Sequence, residues 1–135
     1  MTTITQLTGT ATFTSWDEQP GWDSGAPVPR LAHTTVEFVF AGDIEATSTA
    51  QSVMHYTDDA SGVSVGIERV EGLVAGQPGT LALRHEGTFD TAGVAIRWTV
   101  VPGSGTGALA GFAGTGGFTA PAHTKQWTWR LDRDG

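Results

Sequence analysis

Cysteine is absent from the chain, and lysine occurs once, at Lys125. Without thiols there can be no disulfide, no thiol nucleophile and no zinc–cysteine site. Bases are outnumbered, with seven Lys and Arg against fourteen Asp and Glu, for a net charge of −7. Nucleic acid and anionic membrane surfaces demand a basic footprint, so neither is an expected partner. No apolar run approaches the roughly 18 residues of a membrane helix. Met1 to Leu7 show neither a basic start nor an apolar centre, so no secretory signal is expected and the chain reads as cytoplasmic. Runs of Ala, Leu, Glu and Lys that favour helices are missing too.

What is present is glycine and threonine, 19 and 21 of them in 135 residues. That excess points to turns and strands. The length predicts one domain spanning residues 1–135, large enough to bury a core. Turn signals divide it into eight extended segments: Gly9–Trp16, Arg30–Ala41, Ile44–Tyr56, Val63–Leu73, Thr80–Phe89, Val94–Val101, a glycine-dense piece at Gly103–Gly117, and Gln126–Leu131. Short joints at Gly42-Asp43, Asp58–Gly62, Gly76–Gly79 and Thr91–Gly93 favour antiparallel neighbours. An all-β meander follows, closed into a barrel that leaves no free edge, with a β-sandwich as the alternative.

The stretch Thr80–Val101 is the most explicit. Leu81, Leu83, His85, Gly87 and Phe89 alternate with polar residues, and so do Val94, Ile96, Trp98 and Val100. A two-residue loop at Thr91-Ala92 pairs Phe89 with Val94 and His85 with Trp98, placing both apolar sets on one face. His85 then lies on the inner surface beside an indole. Across the preceding hairpin it faces either Glu68 or Arg69, depending on the turn around Gly76–Gly79. Asp17–Pro29 is a long connection carrying Trp22, read either as a lid over a barrel mouth or as a solvated loop.

Several motifs fail on inspection. Gly105-Thr-Gly107-Ala-Leu-Ala110 matches a permissive dinucleotide fingerprint, but the glycines that follow forbid the helix it needs. Histidines at 33, 55, 85 and 123 have no metal-ligand spacing. No serine sits in a nucleophile-elbow context. Glutamates 37, 45, 68, 71 and 86 read as a solvated strand face. The remaining candidates are His85 as a general acid or base tuned by Glu68 or Arg69, and Tyr56, the single tyrosine, as a pocket hydroxyl. Five tryptophans suit a core and a pocket wall.

Thr14–Glu18 (Thr-Ser-Trp-Asp-Glu), Gly66–Val70 (Gly-Ile-Glu-Arg-Val), Arg84–Phe89 (Arg-His-Glu-Gly-Thr-Phe) and Trp98–Gly107 follow in order, with Leu109-Ala-Gly111 behind them. As a set they resemble a bacterial family of small uncharacterised proteins, a domain of unknown function with an allene-oxide-cyclase-like β-barrel. The resemblance runs from about Thr8 to Leu131 and implies an eight-stranded antiparallel barrel, assembled into homo-oligomers, with an apolar cavity at one end. It implies no cofactor. Within the motifs stand Trp16, Glu68, Arg69, His85 and Trp98. Three functions follow as expectations. The first is a cofactor-independent cyclase or isomerase acting on an apolar small molecule, with His85, Glu68 and Arg69 catalytic and Trp98, Trp16, Tyr56, Phe89 and Trp22 binding the ligand. The second is a binding protein without chemistry. The third is an interaction module whose barrel is filled with side chains.

Overall fold

A computed structural model describes residues 5–21, 25–122 and 124–134. Eight antiparallel strands form a closed barrel in sequence order: β1 (Thr5–Gln19), β2 (Arg30–Gly42), β3 (Ile44–Tyr56), β4 (Gly62–Val74), β5 (Gln77–Asp90), β6 (Gly93–Val100), β7 (Gly114–Pro121) and β8 (Gln126–Arg133). β8 returns to pair with β1, so no strand is left with an unpaired edge. The sandwich alternative is set aside by this closure. No helix among the described residues is long and apolar enough to cross a membrane.

The β5–β6 hairpin has the predicted register. Phe89 pairs with Val94, Gly87 with Ile96 and His85 with Trp98, around the loop Thr91-Ala92. The β4–β5 turn differs from expectation. It falls at Ala75-Gly76, both in the left-handed region at φ 51° and 77°, and β5 begins already at Gln77. His85 therefore pairs with Gly66, while Glu68 pairs with Leu83 and Arg69 with Ala82. Neither predicted partner lies directly opposite His85. Glu68 is two residues further along the same face, within diagonal reach of a long side chain.

A second departure concerns β1. Its register shifts between Phe13 and Ser15, leaving Thr14 as the extra residue of a β-bulge. Odd-numbered residues (Leu7, Ala11, Phe13) face inward before the bulge. After it the even ones do, with Trp16 opposite Val36 and Glu18 opposite Thr34. Strict alternation puts Trp16 outside with Thr10 and Thr12; the bulge turns it in. β1 also runs on to Gln19, shortening the connection expected over residues 17–29.

The glycine-dense segment reads in the sequence as one of the eight extended pieces, over Gly103–Gly117. Instead, residues 101–113 leave the wall, make a single 3-10 turn at Gly107–Leu109, and fold across one end of the barrel. Leu109 and Phe112 are buried there against the core that includes Ile44, Val74 and Leu81. This end is plugged. The other end carries Arg30, Tyr56, Phe89 and Val94, with Ala32, Met54 and Tyr56 buried together against Phe89.

Candidate functional site

β3 makes the space. Its inward set runs Ile44, Ala46, Ser48, Ala50, Ser52, Met54, Tyr56, so four small residues stand in the middle of the strand. Beside them lies a cavity of about 70 Å³ that opens at its mouth to solvent. Aromatic walls come from Trp16, Phe38, Phe89, Phe118 and Trp127, and hydroxyls from Thr34, Ser52, Ser64 and Thr88. Phe118 and Trp127 stack at 4.7 Å, and Phe13 steadies Trp16 edge-on at 5.7 Å. Among the described residues the lining contains no Lys or Arg, and His85 is its one titratable side chain.

His85 is held from behind. Its Nε2 lies 2.6 Å from Oε1 of Glu68, a side chain only 1% exposed. The other oxygen, Oε2, accepts a hydrogen bond from Ser48 Oγ at 2.5 Å. Trp98 Nε1 donates to the same His85 Nε2 at 3.1 Å. Gly66 makes the arrangement possible. A Cβ there would run into the Gln51 carbonyl and stand 2.5 Å from Ser52 Oγ, and no side chain of its own intervenes between His85 and Glu68. His85 Nδ1 has no hydrogen-bond partner among the described residues, which leaves it as the ring nitrogen available to a molecule in the cavity.

A carboxyl group taken from water is costly unless it is bonded on all sides. Glu68 has His85 and Ser48, one on each oxygen. Buried pairs of this kind are poor devices for stability, since apolar residues of equal volume often do as well. Ser48 is committed to Glu68 and does not contact His85, so the trio is not a nucleophilic serine arrangement. It is a positioned imidazole with a carboxyl group behind it.

Other predicted residues are distributed as follows. Arg69 is displaced from the site: it sits one residue out of phase with Glu68, its side chain is 68% exposed, and it faces Glu71 at 3.7 Å on the outer wall. Trp98, expected as a pocket wall, lies behind His85 and is fully buried, so its contribution is the indole N–H. Trp16 and Phe89 do line the cavity. Tyr56 is buried one layer beyond, edge-on to Phe89 at 5.0 Å. Its hydroxyl donates to Glu18 Oε2 at 2.8 Å, and the Arg30 guanidinium covers its ring at 4.5 Å. Burial first, then the bond to Glu18 and its charge, push the phenol above its ordinary range, with Arg30 opposing. Trp22 lies outside the described residues, as does His123.

Sequence reasoning missed Ser48, and it missed the cavity walls Phe38, Phe118 and Trp127. The Ala-Ser-Ala-Ser alternation from Ala46 to Ser52 was the available signal for the cavity. Among the five strand glutamates, Glu68 alone breaks the expectation of a solvated face.

Comparison with known proteins agrees with this fold. A family model described as a protein of unknown function, DUF3224, matches residues 7–131. The crystal structure of a protein with unknown function from that family, from Shewanella oneidensis MR-1, is similar with a TM-score of 0.79. The two share 25% sequence identity, and the match covers 97% of each chain. No curated protein matches. With the family model spanning nearly its whole length, the chain belongs to the DUF3224 family of proteins of unknown function.

Proposed function

We propose that this barrel binds a small, mainly apolar molecule in the aromatic-walled cavity and exchanges a proton with it at His85, as a cofactor-independent isomerase or cyclase does. The observation that carries this reading is the Ser48–Glu68–His85 chain, buried and hydrogen-bonded, ending on the cavity wall at a free Nδ1. A proton gained at Nδ1 is matched by one passed from Nε2 to Glu68, and the reverse step is matched likewise, so the ring stays neutral throughout. Such a relay contributes about 10²–10⁴-fold to a proton-transfer step. The walls supply the rest, by holding the molecule in one shape beside the ring. Side chains pack the barrel toward the plugged end, as a filled barrel requires, and the cavity beside His85 is the space this reading gives to a ligand. Native mass spectrometry of the purified protein tests the reading: a retained molecule that acetophenone displaces supports it. A barrel that retains nothing and takes up no acetophenone argues against it.

We propose also that the chain self-associates through the outer face of β2, β3 and β4. Leu31 (62% exposed), Val53, Val63, Val65 and Ile67 stand together there, with Val53 directly opposite Val65. Clustered exposed apolar residues of this kind mark contact surfaces. Arg84 flanks Ile67 and Glu86 flanks Val65. A two-fold axis crossing the strands between Val65 and Ile67 sets Arg84 of one copy against Glu86 of the other, twice over.

A further inference from the structure

We propose that Trp98 is a positioning residue that keeps the His85 proton on Nδ1, so that the cavity presents an N–H donor and selects a neutral molecule carrying an acceptor oxygen, such as a ketone or an ester. An indole N–H can only donate. Directed at His85 Nε2 from 3.1 Å, it calls for a lone pair on that nitrogen. Glu68 Oε1 stands 2.6 Å from the same nitrogen, a separation that requires a proton between the two.

Two placements of that proton are available. On Nε2, it faces the incoming indole hydrogen, and the Trp98 N–H is left without an acceptor in a fully buried position. A buried donor left unmatched is unfavourable. On Glu68, it makes the side chain a carboxylic acid. The Ser48 hydroxyl then donates to Oε2, the Glu68 hydroxyl donates to Nε2, and the Trp98 indole shares that lone pair as the longer and weaker partner. Each hydrogen of this cluster then has an acceptor, and the pair carries no charge. Among the described residues Glu68 has no ion-pair partner but His85, which strengthens the preference for a neutral pair. With Nε2 unprotonated, the neutral ring carries its hydrogen on Nδ1, the nitrogen left for the cavity.

The ligand class follows from that donor. Thr34, Ser52, Ser64 and Thr88 can donate or accept and do not discriminate. His85 Nδ1–H does. Without Lys or Arg in the lining, an ionised acid would exchange its hydration for one neutral donor, so a neutral oxygen is preferred. This half of the proposal rests on the cavity being a binding site; the tautomer does not.

The test uses the full chain labelled with ¹⁵N in its histidine and tryptophan rings, free of ligand at neutral pH. His85 is assigned by the resonances missing from His85→Gln. The expected spectrum has Nε2 in the unprotonated range, Nδ1 in the protonated range, and a nitrogen–nitrogen coupling across the hydrogen bond from the Trp98 indole. Trp98→Phe then moves Nε2 toward the protonated range. A protonated Nε2 in the intact chain overturns the tautomer. Titration with acetophenone and with ethylbenzene, its hydrocarbon counterpart, reads the ligand class. One donated hydrogen bond predicts about tenfold tighter binding of the ketone. Equal affinities overturn the selection. If neither probe perturbs the cavity residues, the binding-site reading and the ligand class fall together, while the ring resonances still decide the tautomer.

Discussion

The Glu68 carboxyl group stands 2.6 Å from His85 Nε2 although Gly66, not Glu68, is the residue paired with His85 across the β4–β5 ladder. The contact is diagonal, made over a position that carries no side chain. Two kinds of residue are thus needed for one hydrogen bond: the acid that makes it and the glycine that leaves it room.

Removing the acid should therefore be costly. Glu68→Ala leaves the His85 nitrogen and the Ser48 hydroxyl without their partner, and each unmatched buried polar group costs about 1–3 kcal/mol. Glu68→Gln keeps the volume and one hydrogen bond to each neighbour, for a loss nearer about 1–2 kcal/mol. Urea denaturation with a common slope reads both. Equal losses for the two variants would contradict the hydrogen-bonding account.

Removing the room should cost as much by another route. Gly66→Ala drives a methyl group against the Gln51 carbonyl and Ser52 Oγ, backbone and wall that cannot both give way. A destabilisation of about 3 kcal/mol is expected, at the upper end of overpacking. Gly21→Ala, where an added Cβ meets nothing among the described residues, is the matched control and should leave the thermal midpoint unchanged.

Tyr56 offers a pH-dependent reading with a fixed sign. Its phenol is raised in the folded chain above the ordinary 10.0, so the neutral form is favoured by folding. That contribution is complete below about pH 10 and is lost as pH rises from there through the folded value. As the chain has one tyrosine, its phenolate absorbance reports this group alone. Ionisation should be delayed relative to free tyrosine until the barrel unfolds, and Tyr56→Phe should flatten the alkaline loss of stability. Titration at the free-tyrosine position in the folded chain would contradict the Glu18 contact.

Self-association is checked by one outer substitution. Val65→Lys places a charge at the centre of the apolar face, opposite Val53, and should shift the chain to monomer in sedimentation velocity at unchanged thermal stability. A wild-type chain that sediments as a monomer at micromolar concentration would dispose of the interface.

Much of this architecture is legible in the chain. Alternation from Leu81 to Val100 contains the β5–β6 register, because a slip of one residue would expose every apolar side chain of the hairpin. Two local irregularities are not legible. Ala75 takes a left-handed conformation that a non-glycine residue seldom adopts, whereas Gly76–Gly79 reads as the natural turn; this misplacement hid the diagonal contact of Glu68. The bulge at Thr14 carries no residue signature, yet it decides that Trp16 turns toward the cavity. The candidate site was legible by residue type at His85 and Glu68, which the fold brings together. It was not legible at Ser48 or Trp127, whose roles come from strands distant in sequence.

Proton exchange at His85 is tested most directly by deuterium incorporation into the methyl group of acetophenone, followed by NMR in D₂O. With His85 Nδ1 donating to the carbonyl oxygen while solvent at the cavity mouth takes up the methyl proton and later returns a deuteron, enolisation is faster, so the wild-type chain should accelerate incorporation, and His85→Ala should lower the rate by about 10²-fold or more while the ketone still binds. Incorporation at the same rate with and without His85, at equal occupancy of the cavity, would contradict the account.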